Sequence, residues 1–279
     1  MSEHTQPNTA TLPAEICGCT VDCALSEENH TYLAIGPGGR GVVIKRLDPD
    51  CLWNGSLHPG VKERLARVRE LAHPGIANLL AVIKEADGAY LMWEYIEGVP
   101  LDEYLADRAR SVREVATLAR ELILAVGLLH SQGIVHGAIV AGNVIVTPGG
   151  AVRLTHVSPL LYTDYAVDND CVISLLAQIV EERGEADGEM GQLIAEARDQ
   201  KMDLRVLGVR LANFVDSRGT VAQRPAAGPI VGPRRRALYG AAAVALLGIA
   251  LACGVWYVLG HATPLMDALT SKPGQSAGR

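Results

Sequence analysis

The sequence predicts an α+β fold, with a small antiparallel β-sheet and one helix, then a mainly helical half, then one transmembrane helix. Short apolar/polar alternations separated by glycine-rich turns over residues 17–95 predict the sheet. Apolar residues at helical spacing over residues 101–216 predict the helical half. A charge-free run of 23 residues, 237–259, predicts the transmembrane helix, because about 20 apolar residues in a helix span a bilayer.

Periodicity and turn residues give the expected order of elements within residues 17–216. The segment Gly36–Gly41 is expected to be a hairpin turn between two strands, and Ala86-Asp87-Gly88 and Pro148-Gly149-Gly150 are expected to be two more. The expected strands are 19–25, 31–36, 41–47, 78–84, 89–95, 143–147 and 151–155, and the expected helices are 59–72, 101–107, 111–131, 168–183, 188–200 and 203–215.

Composition divides the chain into five expected parts. These are a flexible N-terminus (1–16), a folded domain (17–216), a linker with a basic end (217–236), the transmembrane helix (237–259) and a short extracytoplasmic tail (260–279). The linker ends in Arg234-Arg235-Arg236, and positively charged flanks stay on the cytoplasmic side. We therefore expect a single-pass membrane protein with a cytoplasmic N-terminal domain and its C-terminus outside, in the inner membrane if the source is bacterial. The alternative, a buried core helix, is disfavoured by the length of the run.

Charge and cysteine content restrict the ligand classes. A formal charge of -6 and an isoelectric point near 5.8, without a long basic block, argue against a nucleic-acid partner. Cys17, Cys19 and Cys23 suggest a metal site, but no second Cys or His pair completes zinc-ligand spacing, so ordinary strand cysteines are the favoured interpretation.

Four segments, in this order, carry a family resemblance. They are Val42-Val43-Ile44-Lys45, His73-Pro74-Gly75-Ile76, Leu91-Met92-Trp93-Glu94-Tyr95-Ile96-Glu97-Gly98, and the stretch from Leu128 through His136 to Asn143-Val144-Ile145-Val146. Over about residues 19–183 the chain resembles bacterial-type serine/threonine protein kinases, which implies a two-lobe fold with a truncated C-lobe. The resemblance implies a nucleotide site in which Lys45 contacts the ATP phosphates, the hinge at Glu94 and Ile96 grips adenine, and Asn143 ends the catalytic loop. Trp93 would fill much of the space behind adenine.

The catalytic positions that the resemblance implies are replaced. Ala138 stands where a kinase has the aspartate that orients and deprotonates the substrate hydroxyl, and Val140 stands where it has a phosphate-contacting lysine. General-base assistance alone is worth about 10²–10⁴-fold in rate. His156 replaces the magnesium-binding aspartate, and Mg²⁺ prefers oxygen ligands. The alternative for His156 is an ordinary histidine without a ligand.

Further departures affect the nucleotide and substrate sites. The place of the glycine-rich phosphate loop holds Ser26-Glu27-Glu28-Asn29-His30, and Arg64 stands where the helix glutamate paired to Lys45 is implied. Only 13 residues lie between His156 and Asp170, which is too short for a substrate-binding segment. By the same resemblance, His136 and Asp170 match residues that hold the catalytic loop in place.

These observations favour a membrane-anchored pseudokinase that acts as a scaffold or allosteric regulator through a cytosolic or membrane protein partner. No cofactor is expected, apart from ATP bound without Mg²⁺. Two alternatives stay open. One is a weak or atypical kinase in which Asp164 or Asp168 supplies the missing carboxylate, and the other is a structural component of a membrane assembly.

Overall fold

The computed structural model describes residues 12–107 and 110–217. The N-terminal half is built on a six-stranded antiparallel sheet with the order β1-β2-β3-β4-β8-β7. Its strands are β1 (Glu15–Ile16), β2 (Cys19–Ser26), β3 (Thr31–Ile35), β4 (Gly41–Arg46), β7 (Leu79–Glu85) and β8 (Gly88–Glu94). A small hairpin of β5 (Leu52–Trp53) and β6 (Ser56–Leu57) precedes helix α1 (Pro59–Glu70). The predicted strands and the helix of this half are therefore present, and β1 and the small hairpin are additions.

Turn chemistry explains the added hairpin. Asn54 and Gly55 both have positive φ, at 48° and 70°, and a two-residue turn with this geometry matches the twist of the flanking strands. The predicted turn at Gly36–Gly41 likewise joins β3 and β4, and it is closed by a bond from Gly36 N to Arg40 O at 2.8 Å. Both turns depend on residues that tolerate left-handed backbone.

The second half is mainly helical. It contains α2 (Leu101–Leu105), α3 (Val112–Ser131), α4 (Ala166–Glu182), α5 (Glu189–Asp199) and α6 (Leu204–Ser217), with a three-stranded sheet of β9 (Val99–Pro100), β10 (Val144–Val146) and β11 (Val152–Leu154). Helix α3 begins where Ser111 accepts a hydrogen bond from Glu114 N at 3.2 Å, a capping-box pattern. The helix expected at 168–183 begins two residues earlier, at Ala166, and β9 was not expected.

The two halves share one hydrophobic core. Buried residues of the sheet, such as Leu79 and Trp93, pack in the same cluster as Leu122 of α3 and Leu176 of α4. The backbone also joins them, because Ala77 N donates to Leu154 O and Leu154 N donates to Gly75 O, each at 2.8 Å. The segment after α1 is therefore fixed to the helical half.

The membrane prediction concerns residues that the structure does not describe. Within residues 12–107 and 110–217, no helix is both long enough and apolar enough to cross a bilayer. The predicted transmembrane helix at 237–259, residues 1–11 of the flexible N-terminus predicted at 1–16, and all of the linker and tail beyond residue 217 lie outside the described residues. Within that predicted N-terminus, Glu15–Ile16 form β1.

Candidate functional site

The catalytic-loop region begins at His136, which is completely buried. Its Nε2 lies 3.0 Å from Thr155 O and so carries the proton, while its Nδ1 accepts from Ala138 N at 3.2 Å. Burial lowers the pKa of His136 to about 4, although Asp168 and the bond to Thr155 raise it. The imidazole is therefore neutral and fully used in shaping the loop, as the resemblance implied.

Asp168 of α4 holds the backbone of this loop. Its Oδ2 accepts from His136 N at 2.6 Å and contacts His130 Nε2 at 2.8 Å, and its Oδ1 accepts from Gly137 N at 2.8 Å. Burial alone would raise the pKa of Asp168, but the bonds from His130, Gly137 and His136 outweigh burial and lower it. The expectation that Asp170 holds the loop is wrong, since Asp170 is exposed and lies two residues further along α4 than Asp168.

Ala138 and Val140 place no ionisable group at the loop. The Asn143 amide donates to Ala138 O at 2.8 Å, so Asn143 closes the loop on itself. Asp164, one of the two carboxylates considered as substitutes, is exposed and accepts from Ala166 N at 2.8 Å at the start of α4. Asp168, the other, is committed to the three donors above.

Arg64 of α1 is a buried cation at the position where the resemblance implies a glutamate. Its Nε donates to Ser158 O at 2.8 Å, and its Nη2 donates to Val135 O. Burial lowers the pKa of Arg64, and nearby Asp168 acts in the opposite direction. Helix α1 is therefore tied to the segments on both sides of the loop. The sequence showed the substitution but not these contacts.

Lys45 of β4 and His156 lie together without a carboxylate. Among the described residues Lys45 forms no ion pair, and burial lowers its pKa. The pKa of His156 is lowered to about 3, mainly by burial and to a smaller extent by Lys45 and His136. The Thr155 hydroxyl donates to Asn143 O at 3.0 Å, so at 3.1 Å it accepts from His156 Nδ1. This leaves Nε2 of His156 as an acceptor, buried and without a partner in the described structure.

This donor set does not fit magnesium. A magnesium ion requires several oxygen ligands, whereas the group nearest to the position of the lost aspartate is an imidazole beside a lysine. No group of three or more His, Cys, Asp or Glu residues in the described part of the chain could hold a metal ion, including the cysteines near the N-terminus. Cys17 is instead a poor ligand, because burial and then Glu85 raise its pKa to about 11.

The hinge residues have structural partners. The carboxylate of Glu94 accepts from Asn78 N at 2.9 Å and forms an ion pair with Arg153 of β11. Trp93 is almost completely buried, and its ring meets that of His156 edge to face at a centroid distance of 6.1 Å. Its Nε1 has no partner in the described structure. Trp93 is thus buried against His156, and Ile96 packs against the main core. That Trp93 fills the space behind adenine stays a prediction.

The segment between Ser158 and α4 folds over the catalytic loop. A Cβ at Gly137, which has a φ of 73°, would overlap Cε2 of Tyr162, so the Tyr162 ring rests on this glycine. A Cβ at Gly60 would lie 2.8 Å from Cδ1 of Leu161, which places Leu161 against the start of α1. Because α4 begins at Ala166, the segment is shorter than expected, and it covers the loop.

Comparison with known proteins agrees with the fold. Residues 38–165, just under half of the chain, match the family model of protein tyrosine and serine/threonine kinases. Similar proteins include the serine/threonine-protein kinase PAK mbt of Drosophila melanogaster, 25% identical over 117 residues, which are 42% of this chain and 18% of that protein. A probable serine/threonine-protein kinase of Clostridium perfringens is 27% identical over 117 residues, 42% of this chain and 17% of the kinase.

The serine/threonine-protein kinase PknA of Mycobacterium tuberculosis is 28% identical over 123 residues, again 42% of this chain and 28% of its own length. The matched region thus spans less than a third of each of these relatives. The curled antiparallel sheet, the helices that follow it and these matches together support a kinase-like α+β fold and the placement of this chain in the protein kinase-like superfamily.

Proposed function

We propose that this chain is a membrane-anchored pseudokinase that acts by binding a cytosolic or membrane protein rather than by transferring phosphate. The main support is the environment of Asp168, a buried carboxylate at the loop whose hydrogen bonds in the described structure are with His130, His136 and Gly137. With alanine at 138, the loop has no general base. The proposal places the anchor at residues 237–259, the folded domain in the cytoplasm and the C-terminus outside.

The covered loop supports the same function. Tyr162 rests on Gly137 and Leu161 rests on Gly60, so the segment that would receive a peptide substrate packs on its own domain. Arg64 fixes α1 to both sides of the loop through Ser158 O and Val135 O. The proposed activity is therefore recognition by a surface of fixed shape, as a scaffold or as an allosteric regulator.

Nucleotide binding is part of the proposal only in a form independent of metal. Lys45 is a cation without a carboxylate partner in the described structure, and His156 beside it is a poor magnesium ligand. ATP bound by Lys45 and the hinge at Glu94 and Ile96 would then gain nothing from Mg²⁺. A bound ligand stabilises the fold by about 2.7 kcal/mol at a hundredfold excess over its dissociation constant.

The second candidate is a weak serine/threonine kinase, which the similarity to such kinases favours. Phosphate transfer from radiolabelled ATP to myelin basic protein separates the two functions. The full chain in detergent micelles should give no labelling with Mg²⁺ or Mn²⁺. Labelling that is lost in Lys45→Ala but kept in Lys84→Ala, an exposed lysine of β7, would overturn the pseudokinase proposal.

Thermal unfolding of the same preparation tests the nucleotide site. An ATP-dependent rise in midpoint that is equal with EDTA and with Mg²⁺, and is lost in Lys45→Ala, is expected if ATP binds. In His156→Asp the rise should become larger with Mg²⁺, because a carboxylate is restored. A rise that already requires Mg²⁺ in the parent chain would contradict metal-independent binding.

A further inference from the structure

A groove between α2 and α4 is lined by neither Lys45 nor Ala138, although Ala141 of the same loop as Ala138 contributes to it. It has a volume of about 320 Å³, and its floor consists of buried or half-buried apolar side chains. These are Leu105, Ala141, Leu175 and Ile179. Two exposed carboxylates also line it, Asp102 from α2 and Glu182 from α4. The groove therefore combines an apolar floor with negative charge contributed by two separate helices.

The cation that lines the groove does not neutralise this charge. The Arg183 side chain is only 7% exposed and is paired with Glu185, with Nη2 at 3.2 Å from Oε1. The same Nη2 donates to Arg110 O, and Nη1 lies 3.5 Å from Leu105 O. Its donors are thus directed to groups of its own domain, and in the described structure Arg183 forms no ion pair with Asp102 or Glu182.

Most of the remaining side-chain polar atoms of the groove are acceptors. The Gln178 Nε2 donates one N–H to Glu182 Oε1 at 2.7 Å, which leaves Gln178 Oε1 and Glu182 Oε2 as acceptors and the second N–H of Gln178 as a donor. Asp102 Oδ1 accepts from Glu103 N at 3.0 Å, which leaves Oδ2. A ligand complementary to most of these groups carries mainly donors, bears a positive charge and has an apolar stem.

An arginine side chain meets all of these requirements. Its guanidinium has several N–H donors in one plane and no acceptor, and its methylene groups pack well on apolar surface. The compact lysine ammonium suits less well two carboxylates that come from different helices.

We propose that this groove binds an arginine side chain of a partner protein, with its methylene stem on Leu105 and Ile179 and its guanidinium between Asp102 and Glu182. This inference rests on the proposed binding role and names the chemistry of the partner. It uses none of the residues around Lys45, so phosphate transfer and arginine binding are measured separately and each proposal can fail alone.

Fluorescence anisotropy tests the proposal with the full chain in detergent micelles. The probes are labelled pentapeptides of alternating leucine and arginine, with matched peptides in which citrulline, a neutral isostere, or lysine replaces arginine. The arginine peptide should bind best, and its affinity should fall as NaCl is raised, because exposed charges are screened. Asp102→Asn/Glu182→Gln should weaken binding by about tenfold.

A matched control separates the groove from net charge. Glu103→Gln/Glu181→Gln removes the same charge from exposed positions of the same two helices and should leave binding unchanged. Equal binding of the citrulline peptide, or equal loss in both double variants, would overturn the proposal. A dimer in sedimentation that dissociates only in Asp102→Asn/Glu182→Gln would assign the groove to a second copy of this chain, and would overturn the partner proposal too.

Discussion

Replacing Asp168 by asparagine tests whether this buried carboxylate holds the catalytic loop. Three donors meet it at 2.6–2.8 Å, from His136, Gly137 and His130. An asparagine amide keeps one oxygen, so at least one donor would face an amide N–H₂ group instead. Hydrogen bonds to a charged group contribute about 1.5–3 kcal/mol, and a buried donor left without a partner costs about 1–3 kcal/mol. The free energy of unfolding should therefore fall by about 3–5 kcal/mol.

Urea unfolding of the full chain in detergent, followed by tryptophan fluorescence, measures this loss. Asp164→Asn is the matched control, because Asp164 is exposed and caps Ala166 N, a role that asparagine fills equally well. The control should change the free energy of unfolding by less than about 0.5 kcal/mol. A value for Asp168→Asn within about 1 kcal/mol of the parent would refute the structural role of the carboxylate.

Three further predictions concern the surroundings of the loop. Arg64→Met should lower the free energy of unfolding by about 2–4 kcal/mol, because two buried carbonyl groups lose their hydrogen-bond donor. It should also speed hydrogen exchange near the loop. Arg69→Met, on the exposed face of α1, should do neither. The pKa of His136 is about 4 against an ordinary 6.5, so the unfolded chain binds the extra proton. The contribution of His136 to the free energy of unfolding should be fully present above pH 6.5 and should fall by about 3 kcal/mol toward pH 4. In urea unfolding, His136→Gln should make the free energy of unfolding depend less on pH in this range. Gly137→Ala should lower the thermal midpoint, because its Cβ meets Tyr162, and Tyr162→Ala should recover part of that loss; no loss in Gly137→Ala would contradict the contact.

Local patterns made much of the fold predictable from the sequence. Alternation and turn residues placed β2, β3, β4, β7 and β8, and apolar spacing placed the helices, because these signals depend on neighbours in the chain. The motifs around Lys45 and His136 identified the halves that meet at the site. The hairpin at Asn54-Gly55 was missed although its turn residues were a usable signal.

Contacts between residues far apart in the sequence were harder to predict from the sequence. Choosing between Asp168 and Asp170 required the start of α4, and an error of two residues at a helix end rotates a side chain by about 200°. The position of Tyr162 over Gly137 is visible only once the chain is folded, since a glycine in the motif does not indicate which side chain covers it. The use of Arg64 by two backbone carbonyls had no sequence signal beyond its apolar neighbours on α1.

The substitutions around the loop are electrostatically coupled. Without the carboxylates that the resemblance implies at 64 and 156, half-buried Lys45, buried Arg64 and His156 are each accommodated differently. Burial lowers the pKa of Lys45, and burial keeps His156 neutral. Arg64 donates hydrogen bonds to Val135 O and Ser158 O, with Asp168 nearby. A carboxylate restored at 64 alone would face those carbonyl oxygens without a donor, at the cost of a buried unpaired charge. The proposed binding role therefore rests on several substitutions around the loop, of which Ala138 is one. It does not rest on the loss of one general base alone.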